Sequence, residues 1–257
     1  MKASMISRAA LIGLTMPLVL AAMAGPALGR EKMLHFRQMG VQARFESAAH
    51  HSFSAAERTR IQSVLDATHA AVRADFPQLA DSLSVTVVPV DRDLSSVGGV
   101  AGRADAPGQI LIEISTTGEG GTVAAISQGL AAAFAHELHH LVRGWTIMGN
   151  HYGPGIAIAA ANEGLAVAYS EHLTGQVFAG NRPPEDAVAR AWAAEIRALP
   201  VDAHYGEWMF AHPDGREGIG YRTGRFIVQR AMENSGRDVI SLTSATPEEV
   251  WALAGLD

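Results

Sequence analysis

His136-Glu137-Leu138-His139-His140 lies within an apolar stripe formed by Ile126, Leu130, Phe134, Leu138 and Leu141. These residues recur at helical spacing from Thr122 to about Val142, and Gly144 follows as a stop. On such a helix His136 and His140 stand one turn apart, with the second ring rotated by only about 40°. Both imidazoles can therefore reach one ion at roughly 2.0–2.1 Å. Glu137 projects beside the pair, where it can contact a water on that ion without becoming a ligand. The plain alternative is a helix with two solvated histidines. A chain of this composition gives only about 0.03 chance matches to the pattern, which favours the arrangement found in zinc hydrolases. His139 is read as a hydrogen-bonding neighbour rather than a ligand, because the i, i+4 pair already fits.

Two histidines leave a catalytic zinc site one protein ligand short. The metzincin pattern would put Gly at 143 and His at 146. The chain has Arg143 and Thr146, so that pattern is excluded. A Gly/Asn/Pro loop over 145–155 leads to a second apolar helix, Ile156 to Leu173, with Gly175 as its C-cap. An antiparallel helix pair could return Glu163 of this helix to the metal. Glu171 is the rival, rotated by about 80° from Glu163, so the two do not serve together. Arg143 is expected to interact with the end of its own helix.

Upstream, Ser54-Ala55-Ala56-Glu57 is a capping box. It opens a helix to about Asp75 with Ile61, Val64, Leu65, Thr68 and Val72 on one face. Leu83 to Val90 is a β-branched run, and Pro89 marks either an edge position or the strand's end. Asp91 to Gly108, with Gly98, Gly99 and Gly102, is expected to be a loop. Ile110 to Ile114 is a second strand, with its isoleucines on one face and Glu113 on the other. Downstream, Pro183-Pro184-Glu185-Asp186 starts a helix to about Leu199. Phe226, Ile227, Val228 and Met232 belong to another, and Thr246-Pro247 starts a last short one. The four tryptophans, Trp145, Trp192, Trp208 and Trp251, are expected in the core. The expected class is α+β: a small mixed α/β half, 30–121, and a mostly helical half, 122–257. The cleft between the halves is the natural place for a site.

The 257 residues are 48% hydrophobic and carry a net charge of −6, so no basic surplus points to nucleic acid. The absence of cysteine excludes disulfides, iron–sulfur clusters and a thiol nucleophile. Any metal must be held by His and carboxylates. Lys2 and Arg8, the apolar stretch Ala9–Ala24 and the small residues Ala27-Leu28-Gly29 read as a signal segment over 1–29, with Ala22-Met23-Ala24 as an alternative cleavage site. Export to a periplasm or the medium is expected, with a mature charge of −8 and no stable membrane span thereafter.

HELHH, then Ala161-Asn162-Glu163-Gly164-Leu165-Ala166, then Gly220-Tyr221-Arg222-Thr223-Gly224-Arg225-Phe226 resemble, in order and spacing over 95–257, the predicted zinc-dependent protease family known as domain of unknown function 2268. The wider likeness is to gluzincins, so a zincin-like fold is implied. The resemblance implies one zinc ion held by His136, His140 and Glu163, Glu137 as general base, and a peptide or protein substrate. It also marks Tyr221, with His212 second, as donor to the oxyanion, and strand 110–114 as a candidate partner for an extended substrate by β-addition. Many gluzincins carry an Asp four residues after the third ligand; here Val167 stands in that place. That departure supports one rival reading, a metal-holding interaction module without turnover; a second rival is a zinc hydrolase of a non-peptide amide or ester.

Overall fold

A computed structural model describes residues 40–256. The expected signal segment, 1–29, lies outside the described residues. Strands β1 (Gly40–Phe45), β4 (Ser82–Val90), β5 (Val100–Ala106) and β6 (Gln109–Ser115) form one sheet in the order β1-β4-β6-β5. A small hairpin, β2 (Ser47–Ala48) with β3 (His51–Ser52), stands beside it. The pairs β1/β4 and β4/β6 are parallel, and β5/β6 is antiparallel. Ile110, Ile112 and Ile114 are buried on one face of β6, as period-two alternation requires.

One expectation about this sheet is narrowed and another needs correction. β4 is an inner strand, so Pro89 marks its end and not an edge. The segment 91–108 is not a loop throughout, because β5 forms within it. Its Ala and Gly residues give no β-branched run, and antiparallel pairing to β6 supplies the order that propensity does not.

Helix α1 (Ala55–Asp75) begins at the Ser54–Glu57 capping box and buries Ile61, Leu65, Thr68, His69 and Val72. Glu57 also accepts a hydrogen bond from Thr122, which ties the start of α1 to that of α2 (Gly121–Gln128). The single helix expected over 122–142 is two: α2 ends at Gly129, and α3 (Leu130–Arg143) carries the histidines. At the break only glycine fits, since a Cβ at Gly129 would stand 2.3 Å from the Gly98 carbonyl oxygen. Gly144, at φ +66°, terminates α3 as expected.

Helix α4 (Ile156–Thr174), α5 (Asp186–Arg197), α6 (Tyr205–Met209), α7 (Ile219–Ser235), α8 (Val239–Leu242) and α9 (Pro247–Ala254) complete the helical half. Where α4 meets α7, Gly164 faces Gly224. A Cβ on Gly164 would stand 2.1 Å from the Gly224 oxygen, and one on Gly224 would stand 2.0 Å from the Ala160 oxygen. The two backbones touch, which only glycine permits. The motifs EGLA and GYRTG are therefore two sides of one contact. Trp251 of α9 donates its indole N–H to the Ala157 carbonyl at 2.9 Å, closing the bundle. Trp192 and Trp251 are buried, and Trp145 and Trp208 pack against the core from its margin.

Candidate metal centre

α3 presents His136, Glu137 and His140 to a cavity of about 1,010 Å³ that is also lined by Gly102 and Ala104 of β5 and by Glu163 of α4. Nε2 of His136 and Nε2 of His140 are 2.9 Å apart. Oε2 of Glu163 lies 2.8 Å from the first and 3.2 Å from the second. An imidazole nitrogen carries either one proton or one lone pair in its ring plane. Hydrogen bonds can therefore satisfy at most two of these three contacts. A cation can accept a lone pair from each atom at once. The three spacings approach the ~3.3 Å between ligands of a tetrahedral zinc ion. This donor set fits a divalent metal.

Glu137 stands beside the triangle, its carboxylate within 4.8 Å of the ring nitrogens. The nearby Ala104 N–H favours its charged form, while Oε2 is buried without a protein partner. Gly102 gives it room, since a Cβ there would stand 2.5 Å from Glu137 Cγ. Burial pushes the Glu137 carboxyl up to about 8, opposed by His136 and reinforced by the charge on Glu163. Burial also pushes Glu163 upward, but His140 and His136 overcome it and hold this carboxylate well below its usual range. His136 is raised, because Glu163 and Glu137 outweigh its burial. His140 is lowered by burial, with the His136 and Arg143 charges adding to it.

The neighbours separate the expected site residues. Glu171, the rival third ligand, is paired with Arg225 at 2.7 Å and does not line the cavity. His139 points away from the centre: its Nε2 meets the Thr243 hydroxyl at 3.0 Å and its ring stacks on Tyr169. Arg143 does more than cap its helix. It is buried, donates to Asn162 Oδ1 at 2.7 Å, and holds the Thr243 and Ala245 carbonyls. His212 is paired with Asp214 at 2.8 Å, packs on Trp208, and does not line the cavity. Val167 is buried, and Nδ1 of His140 has no protein partner.

Tyr221 is at the site, its ring centroid 6.4 Å from that of His136. Burial, then the Glu163 charge, holds its hydroxyl protonated well above the ordinary phenol value. Tyr205 is a residue the sequence did not disclose. It sits on the short helix α6, 42% exposed, and lines the cavity with Tyr221 near the Glu163 charge. Burial and the same carboxylate raise its pKa. No periodic or motif signal marks it, because its place depends on the packing of α6 against α7. A Cβ on Gly220 would stand 2.0 Å from the Met209 sulfur.

The strand reading is also corrected. β6 lies between β4 and β5, so it is not available to an added strand; the edge strand on the side of the cavity is β5. Comparison with protein-family models matches residues 62–252 to the family described as Predicted Zn-dependent protease (DUF2268). Searches of the curated proteins and of the solved structures find no match. Among the described residues no helix is long and apolar enough to cross a membrane.

Proposed function

The chain belongs to the DUF2268 family of predicted Zn-dependent proteases, and on that premise we propose that it is a zinc metallopeptidase. His136, His140 and Glu163 hold one zinc ion. The observation that supports this reading is the convergence of two ring nitrogens and one carboxylate oxygen at 2.8, 2.9 and 3.2 Å. When bound, zinc supplies a Lewis acid that lowers the pKa of water and polarises a carbonyl.

The remaining chemistry belongs to side chains of this protein. Glu137, buried and outside the ligand triangle, takes a proton from the attacking water and delivers it to the leaving amine. Tyr221 and Tyr205 keep their protons and present O–H donors beside the centre, where a tetrahedral oxyanion gathers charge. β5 turns the backbone groups of Gly102 outward beside Glu137, where an extended peptide can pair with them. The protein is exported after loss of residues 1–29.

The test is metal content together with turnover. Purified mature protein should carry one zinc per chain and cleave a peptide pool. Glu137→Gln should keep the zinc and lose cleavage. A protein with one zinc that cleaves no peptide would overturn the hydrolase reading and leave a metal-holding interaction module.

A further inference from the structure

A second polar contact joins α3 to α4 within one helical turn of the metal centre. Arg143 follows His140 by three residues on α3, and Asn162 immediately precedes Glu163 on α4. Arg143 Nε donates to Asn162 Oδ1 at 2.7 Å, and both residues are buried. Each partner is fixed by further bonds. The Asn162 amide donates to the Ile158 carbonyl of its own helix at 3.0 Å, which orients the group and turns Oδ1 to the arginine. On the other side Arg143 Nη1 donates to the Thr243 carbonyl and, at 3.0 Å, to that of Ala245. The Tyr152 ring covers the guanidinium, with its centroid 4.8 Å from Cζ.

A cation in this place needs a reason. No carboxylate pairs with Arg143 among the described residues, and burial opposes its charge. The end of α3 and three neutral acceptors offset part of that cost. An apolar side chain could fill the same space, but apolar contact has no direction. A planar fork bonded to two segments fixes both distance and angle.

The metal centre depends on such a constraint. One helix sets His136 and His140 relative to each other, but only the lie of α4 on α3 places Glu163. Its Oε2 is 2.8 Å and 3.2 Å from the two ring nitrogens. A site of this kind has to be held within about 0.5 Å. Nδ1 of His140 has no partner among the described residues, so no acceptor steadies that ring from behind.

Resting on the zinc site of the proposed function, we infer that Arg143 and Asn162 are positioning residues. Their bond fixes the crossing of α3 and α4 at the spacing that brings Glu163 onto the metal with His136 and His140. Neither side chain is itself a ligand. Without the bond α4 shifts, and two histidines are left with a misplaced carboxylate.

The experiment measures zinc affinity of the folded protein, by competition with a chelator, beside urea unfolding of the metal-free form. Visible absorption of the cobalt-loaded protein reports ligand geometry. Asn162→Ala leaves the Thr243 and Ala245 contacts in place; it should weaken zinc binding by about tenfold or more and alter the cobalt spectrum. Arg143→Met should weaken zinc binding to a similar degree. Removing a positive charge near a cation site favours the cation on electrostatic grounds alone, so weaker binding there reports lost position. Because the two residues act through one bond, the double variant should bind zinc about as weakly as the worse single variant. Arg143→Lys keeps the charge without the fork, carries the same expectation, and serves if either of the other single variants fails to fold. Zinc affinity within about twofold of wild type in folded variants, with only unfolding affected, would overturn the inference, as would single effects that simply multiply in the double variant. Wild-type protein that binds no zinc would instead defeat the metal-centre reading.

Discussion

Glu163 Oε2 stands 2.8 Å from Nε2 of His136, a residue 27 positions earlier on the preceding helix. Nothing local brings them together; the crossing of α3 and α4 does. If this carboxylate is the third ligand, Glu163→Ala should lower zinc affinity by on the order of 100-fold or more, beyond what loss of a supporting residue costs. Zinc at one hundred times its Kd should add about 2.7 kcal/mol to wild-type stability, and little to the variant. Metal analysis and thermal unfolding with and without chelator measure both. Glu171→Ala, which breaks the pair with Arg225, should leave zinc content unchanged.

Glu137 touches the centre without joining the ligand triangle. Glu137→Gln should therefore retain one zinc per chain and lower kcat by about 10²–10⁴-fold, the range for loss of a positioned acid–base group. Parallel loss of metal would move Glu137 into the ligand set.

Tyr221 is buried against His136 with its hydroxyl kept protonated. Tyr221→Phe should lower kcat by about 10²-fold or more with KM little changed, as removal of a transition-state donor does. Tyr205→Phe tests the second hydroxyl in the same assay. A fall in zinc content instead of kcat would identify either tyrosine as a support for Glu163.

Gly164 and Gly224 let α4 and α7 touch backbone to backbone. A methyl group at Gly164 would stand 2.1 Å from the Gly224 oxygen, and no side chain can rotate to relieve it. Gly164→Ala should destabilise the fold by about 3 kcal/mol. The displaced α7 should also carry Tyr221 away from His136. Urea unfolding gives the first effect and residual kcat the second.

Glu57 accepts hydrogen bonds from Thr122 and from the Ser54 N–H and hydroxyl, and the Thr122 bond is the largest cause of its lowered pKa. A carboxyl depressed by folding stabilises above its unfolded pKa, and that contribution is lost as pH falls through the folded value. At neutral pH Glu57→Ala should cost about 1 kcal/mol. The gap between variant and wild type should close as pH falls below the ordinary carboxylate range. A gap that stays constant down to pH 2 would assign the effect to packing alone.

How much of this was legible in the sequence follows the range of the forces involved. The helix of His136 and His140, its stop at Gly144, the caps at Ser54 and Thr246 and the buried isoleucines of β6 were all readable. Each is set within one or two turns of chain, by side-chain spacing, capping and the left-handed freedom of glycine. The pairing of His136 with His140 is of this kind, because four residues on a helix fix it. Tertiary structure decided the rest. Glycine is required at 129 only because the Gly98 carbonyl occupies the space a Cβ would need. β5 is a strand only because β6 lies beside it, since Ala and Gly hold little strand preference of their own. The choice between Glu163 and Glu171, both on α4, came from what faces each: two imidazoles for one and Arg225 for the other. Tyr205 and the bonds from Ile147 and Met148 to β5 depend in the same way on contacts between segments distant in sequence. Local spacing determines which side chains can share a helix face, and only the packed chain determines what that face meets.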